Sequence, residues 1–287
     1  MRAGIETRPD PRTKPTLDAL SRALGSLGWH TFRWHNDNPP LPAMRSCDLV
    51  VMWNGAHPIY APIHAALPNI TRVLYVELGW LPQDGTFQID PVGINSRASW
   101  VPAVPTYSPE DHLHVRDGDL LVVLQCENDM QIRELSPYKQ MAPWVHMLAA
   151  QSALPLRVRP HPKAQFPFEL VQEVCHCGVT LDESDSVESA FEGAAAVATI
   201  NSTCGLQAIE AGLPVLCYGE ALYRQPYVCY CMDGPDDTHK ITTSLKAKDC
   251  HLCPEAMRRM VGMVREHQWT IADLPDRLGA LLKTMEG

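Results

Sequence analysis

The feature that most constrains this chain is an alternation. Short apolar runs recur between segments whose apolar residues return every three or four positions. Residues 47–53 read as a buried strand that stops at the turn-prone pair Asn54-Gly55. Before it, Leu17, Leu20, Leu24 and Leu27 are spaced as one helical face over residues 16–27, with Gly28 as the stop. Residues 59–67 follow as a short helix and residues 72–76 as a second strand. The second half repeats the pattern. Strands are expected at 120–124, 156–159, 197–200 and 215–218, helices at 136–151, 169–174 and 204–211, and closing helices at 254–266 and 273–285. Strands that alternate with helices pair in parallel and are covered on both faces. The chain has 287 residues, and domains run to about 100–150. The expectation is therefore an α/β chain of two Rossmann-like, doubly wound domains with a cleft between them, residues 1–115 and residues 116–287. Residues 102–119 hold three prolines without periodicity and are expected to form the linker; one large α/β domain is the fallback.

Composition excludes some classes. No apolar run approaches the roughly 20 residues of a membrane span, and Met1 to Glu6 lack a signal-peptide core. Ten cysteines at irregular spacing, without a secretion signal, suit reduced thiols and a cytoplasmic location. A net charge of −9 repels polyanions at long range, which weighs against loose DNA binding.

Four constellations carry candidate chemistry. Asn201-Ser202-Thr203 lies between an expected strand and helix, where free N–H groups and hydroxyls suit a phosphate; Gly205 would let the phosphate approach the backbone. A plain helix cap explains the same residues. Arg157-Val158-Arg159-Pro160-His161-Pro162-Lys163 sets cations and an imidazole after a strand, as an anion site or an exposed basic loop. Glu77, at the end of the strand 72–76, and Asp84 and Asp90 in the loop beyond could take a proton from an acceptor hydroxyl. Gln125-Cys126-Glu127-Asn128-Asp129 turns polar abruptly after an apolar strand, as a cleft lining or a turn.

In this order, the segments resemble the capsule-polysaccharide synthesis family, which includes transferases of the keto sugar Kdo to lipid-linked acceptors. The resemblance rests on Glu77-x-Gly79-Trp80-Leu81-Pro82, Ile89-Asp90-Pro91-x-Gly93-x-Asn95 and Leu124-Gln125-x-Glu127-Asn128-Asp129. It continues through Arg159-Pro160-His161-Pro162 and Ser202-Thr203 to Glu210-Ala211-Gly212-Leu213-Pro214-Val215. It covers about half the chain. It implies a GT-B-like glycosyltransferase using a nucleotide-activated, CMP-linked acidic sugar, with the His-Pro and Ser/Thr pairs on the nucleotide phosphate and a carboxylate near the reacting centre. Leu78 stands where the family carries a second acidic or amide residue, so Glu77, Asp84 and Asp90 all remain candidate bases.

The expected sites are Glu77, Asp90 and His161 for catalysis, and Arg159, His161, Ser202, Thr203, Gln125 and Asp129 for the donor. Transfer to a hydroxyl acceptor, a glycan or lipid-linked one, is expected to need no metal, because protein cations and a helix dipole can meet the leaving group's charge. The alternatives are a nucleotide-sugar epimerase of the same architecture, a non-catalytic sugar-nucleotide or zinc-binding module, and a sugar transferase acting on a hydroxylated DNA base. Cys229, Cys231, His239, Cys250 and Cys253 have ligand types suited to zinc but lack a second Cys-x-x-Cys, so no zinc is expected. Asp117-Gly118-Asp119 matches an Asp-x-Asp metal motif but precedes a strand, and reads as a turn.

Overall fold

The computed structural model describes residues 1–54, 60–101, 112–164 and 178–285. The chain divides into two compact units, Met1–Val101 with Val264–Gly287, and Pro102–Met263.

Unit 1 begins with β1 (Arg2–Glu6), α1 (Lys14–Ser26), β2 (His30–Trp34), α2 (Leu41–Met44) and β3 (Leu49–Trp53). It continues with α3 (Ala61–Ala66), β4 (Arg72–Leu78) and β5 (Thr86–Asp90). Four strands pair in parallel in the order β2-β1-β3-β4, and β5 adds antiparallel to β4. The leucine stripe of α1 does what its spacing requires: Leu17, Leu20 and Leu24 are buried with Ile5, Val51 and Leu74. Leu27 is instead the helix C-cap and is exposed. Gly28 then turns the chain at φ 83°, a conformation that favours glycine.

Three of these strands, β1, β2 and β5, escape the sequence pattern. Strand β1 is central, yet Arg2-Ala3-Gly4-Ile5-Glu6 carries little apolar bulk. Small residues are needed there, since a Cβ on Gly4 would come within 2.9 Å of the Phe32 ring. Strand β5 occupies residues expected to be a loop, and β4 runs to Leu78 rather than stopping at Val76. Antiparallel pairing is the reason: Glu77 lies opposite Gln88, and Leu78 opposite Phe87.

Unit 2 contains β6 (Asp119–Val123), α4 (Met130–Leu135), α5 (Met141–Gln151), β7 (Leu156–Arg159) and β8 (Thr180–Leu181). After these come α6 (Val187–Phe191), β9 (Ala194–Thr199), α7 (Thr203–Glu210), β10 (Val215–Cys217) and β11 (Tyr230–Cys231), then α8 (Pro235–Lys246) and α9 (Pro254–His267), whose last four residues, 264–267, belong to unit 1. Every pair is parallel, in the order β8-β7-β6-β9-β10-β11. The chain winds outward from β6 in one direction and then, from β9, in the other, which makes a switch point between β6 and β9. The helix expected over 136–151 begins only at Met141, as α5, and the short helix α4 before it was not expected. Asp129 caps α4, and Ser136 folds onto Tyr138 around Pro137 before α5 starts. The helix expected at 169–174 lies outside the described residues.

The C-terminal segment returns to unit 1. Strand β12 (Trp269–Thr270) pairs antiparallel with β5, and α10 (Leu274–Thr284) buries Leu274, Leu278 and Leu282 in the core beneath α1. The expected division at 115/116 is therefore corrected: the first boundary is at 101/102, and residues 264–287 belong to unit 1. An amphipathic helix declares one apolar face, but not which sheet it will cover.

Candidate functional site

In unit 2 the loops leaving β6, β7 and β9 are tied together. Gln125, just past β6, donates from Nε2 to Asn201 Oδ1 (2.9 Å), and its Oε1 accepts from the Asn201 amide (3.0 Å). Asn201 Nδ2 donates onward to the Gln131 carbonyl (2.9 Å). This clasp spans the switch point and fixes the chain entering α7. Gln125 was expected to touch a ligand; the structure uses its buried amide as a clasp. Asp129, also expected at the ligand, is exposed and caps α4 by accepting from the Gln131 amide (2.8 Å).

Ser202 is the N-cap of α7, and its hydroxyl accepts from the Cys204 amide at 3.2 Å. The helix-cap reading of Ser202 is therefore met in the structure. Thr203 differs: its amide and hydroxyl have no hydrogen-bond partner among the described residues. A half-exposed N–H and O–H at a helix N-terminus, at a switch point, suit an anion.

Gly205 plays another part than expected. A Cβ there would lie 2.3 Å from the Tyr223 hydroxyl, so its bare Cα makes room for a tyrosine, not a phosphate. Tyr223 is buried, which keeps its hydroxyl protonated, and it donates to the Ser202 carbonyl at 2.7 Å. Tyr223 thus holds the cap from beneath. Gly205→Ala should displace it, at about 1–3 kcal/mol of stability, readable as a fall in the urea midpoint.

His161 lies on the loop after β7. Its Nδ1 is 3.2 Å from the Lys163 amide and 3.1 Å from Cys126 Sγ. The amide can only donate, so Nδ1 is the unprotonated acceptor, and Cys126 must donate its S–H. Burial and the nearby Asp129 push the Cys126 thiol up, which keeps that proton in place. In the neutral imidazole the remaining proton then sits on Nε2. The sequence placed Cys126 only in the polar turn after its strand; nothing local connects it to a histidine in another loop.

Arg159 is not the free cation its loop suggested. Its Nη1 pairs with Asp182 and donates to the Ser184 carbonyl (2.9 Å). Asp182 also accepts from Arg157 at 2.5 Å and from Ser184 Oγ at 2.8 Å. Burial alone would raise the Asp182 carboxyl, but the hydrogen bonds from Ser184, Arg159 and Arg157 outweigh it and hold it below the usual carboxylate range. Arg157 is further satisfied by Asp119 and the Ala190 carbonyl. Arg159 keeps Nε and Nη2 without a partner among the described residues. Its charge reaches the first turn of α7, where it opposes the burial that raises the Cys204 thiol.

The carboxylates expected as bases lie in unit 1. Glu77 is half-buried inside β4 and accepts from the Leu78 amide at 2.9 Å. Asp84 is exposed. Asp90 departs most from expectation. It is buried, and its two oxygens accept from the amides of Val92 (2.7 Å), Gly93 (3.1 Å) and Ser99 (3.0 Å) and from the Ser99 hydroxyl (2.7 Å). Four donors fill a carboxylate's lone pairs, so Asp90 organises its loop instead of awaiting a substrate proton.

Among the described residues, no three His, Cys, Asp or Glu side chains are grouped to hold a metal. Of the cysteine-histidine set weighed for zinc, Cys250 accepts from the Tyr230 hydroxyl, and His239 Nδ1 lies 3.2 Å from the Gln151 carbonyl. Asp119 is committed to Arg157, and no helix among the described residues is long and apolar enough to cross a membrane.

Comparison with known proteins bears on the family and the fold. Residues 112–244 match the family model described as capsule polysaccharide biosynthesis protein. Protein FixF of Sinorhizobium fredii is 29% identical over 207 residues, covering 61% of this chain; the chain spans 49% of that relative's length. Two solved structures share the fold. Thermosulfurimonas dismutans KpsC, beta Kdo 2,7 transferase, is 14% identical with a TM-score of 0.64, over 96% of this chain and 99% of that one. The beta Kdo 2,4 transferase of the same protein is 13% identical with a TM-score of 0.54, over 91% and 90%. The fold is the expected pair of Rossmann-like units, of the GT-B kind, and the resemblance to the capsule polysaccharide synthesis family stands.

Proposed function

We propose that this chain, which carries a capsule polysaccharide biosynthesis family segment at residues 112–244, is a glycosyltransferase moving an acidic sugar from a nucleotide-activated donor to a hydroxyl acceptor. One observation supports this reading above the others. A continuous set of contacts runs from His161 through Cys126 to Gln125 and Asn201, and so to Ser202 and Thr203. A proton-bearing imidazole, a partly free guanidinium and the open N-terminus of α7 thereby belong to one edge of one sheet.

In this reading Thr203 and the Ser202 cap bind the donor phosphate through α7, Arg159 adds its unpaired Nε and Nη2, and Lys163 supplies exposed charge. His161 Nε2–H donates to the leaving phosphate. These groups stabilise the charge that builds as the glycosidic oxygen departs, so the scheme needs no metal. A carboxylate accepts the acceptor's proton, and Glu77 is the first choice because Asp90 is filled by its own loop. A CMP-linked donor is proposed first, since the two solved relatives are named as Kdo transferases.

His161→Ala should lower kcat about 10²-fold if the imidazole also delivers a proton. The assay follows release of CMP, UDP or GDP from the corresponding nucleotide sugars in EDTA, with a hydroxylated acceptor present and absent. Acceptor-dependent release supports transfer. Acceptor-independent conversion of the donor into its epimer, or no turnover with any donor, would refute it.

A further inference from the structure

Unit 1 has its own switch point, between β1 and β3, and a charged constellation sits there that the donor site does not use. Glu6 ends β1 and is fully buried. It accepts from the Trp53 amide at the end of β3 (2.7 Å), from Arg8 Nε (2.9 Å) and from the Tyr60 hydroxyl (2.8 Å). Tyr60, also fully buried, lies 2.7 Å from the Trp53 carbonyl and accepts from Arg8 Nη2 at 2.6 Å.

The consequence is an arginine held by one side only. Nε and Nη2 form one edge of the guanidinium, and that edge is spent on Glu6 and Tyr60. The other edge, Nη1 with the second N–H of Nη2, has no partner among the described residues. The Arg8 side chain is 30% exposed against 0% for Glu6. Burying a carboxylate to pair with an arginine is a poor source of stability compared with apolar packing. It does fix a guanidinium in one orientation, with a free two-pronged donor edge that matches the spacing of carboxylate or phosphate oxygens. Open α/β sheets take ligands at this position, beyond the carboxyl ends of the strands where the winding reverses.

We propose that Arg8, aimed by Glu6 and Tyr60, is an oxyanion-binding residue of unit 1 that takes a carboxylate or phosphate group of a small-molecule ligand. That this ligand is the sugar acceptor rests on the transferase reading; the anion site does not.

The test uses the full chain, labelled with ¹⁵N, and follows the arginine side-chain Nε–H signals during titration with methyl phosphate and, separately, with glucuronate. Arg8→Lys, which keeps the charge but loses the fork, identifies the Arg8 signal by its disappearance. The expected result is a saturable shift of Arg8, with Arg12 and Arg22 unmoved, and at least tenfold weaker binding of the same probe in Arg8→Lys. A response to methyl phosphate alone assigns a phosphate-bearing ligand; a response to glucuronate alone assigns an acidic sugar. Absence of a saturable Arg8 shift with either probe overturns the proposal, as does unchanged binding in a folded Arg8→Lys protein. Should that variant fail to fold, triple-resonance correlation from the Arg8 backbone amide assigns its Nε–H signal, and the wild-type titration decides. The Thr203 amide in the same sample reports nucleotide binding in unit 2, so either reading can fail without the other.

Discussion

Asp182→Asn is expected to destabilise unit 2 by about 3 kcal/mol, more than any surface substitution in the chain. The carboxylate is 1% exposed and receives hydrogen bonds from Arg157, Arg159 and Ser184. Removing one member of a buried pair leaves charge without compensation, at about 3–5 kcal/mol; Arg157 keeps Asp119, so the lower end applies. Thermal unfolding should fall by roughly 10 °C. The pH dependence follows from the lowered carboxyl. A group whose folded pKa is depressed stabilises the protein above its unfolded pKa, and that contribution is lost as pH falls through the folded value. Wild-type protein should therefore lose stability below about pH 4, and Asp182→Asn should show a shallower acid limb. Equal acid limbs in the two proteins would contradict the assigned role.

The largest expected functional loss belongs to Ser202 and Thr203 together. Each hydrogen bond to a charged group is worth about 1.5–3 kcal/mol. Replacing both residues by alanine should raise the nucleotide Kd by at least roughly 10²-fold. The cap on Cys204 is lost at the same time, costing about 1 kcal/mol of stability. Isothermal titration beside urea unfolding separates the two effects. A stability loss with unchanged Kd would make both residues structural only. Thr203 should carry the greater part, since Ser202 already spends its oxygen on the helix.

Much of the fold was legible because period and breakers are local. The stripe on α1, the stop at Gly28 and the polar turns after β6, β7 and β9 all follow from neighbouring residues. What was missed depends on distant partners. β5 exists because β4 lies beside it, and Asp90 is filled by Ser99, nine positions on. Gly205 was read as an approach for phosphate because nothing nearby announces Tyr223. Arg159 was read as free because Asp182 is 23 residues away. That these loops leave neighbouring strands was therefore visible in the sequence, while the state of their charges was not. An ion pair subtracts from a basic loop what composition alone counts as available.

The proposed transfer requires the edge of unit 2 around Thr203 and His161 to bind a nucleotide. The most direct measurement is titration of the ¹⁵N-labelled chain with CMP, and then with UDP and GDP. Saturable shifts of the Thr203 amide and the His161 imidazole are expected with at least one nucleotide, CMP first, and their loss is expected in the double alanine protein. Saturable nucleotide binding that leaves Thr203 and His161 unmoved, or no binding of any of the three, would contradict the proposed transfer.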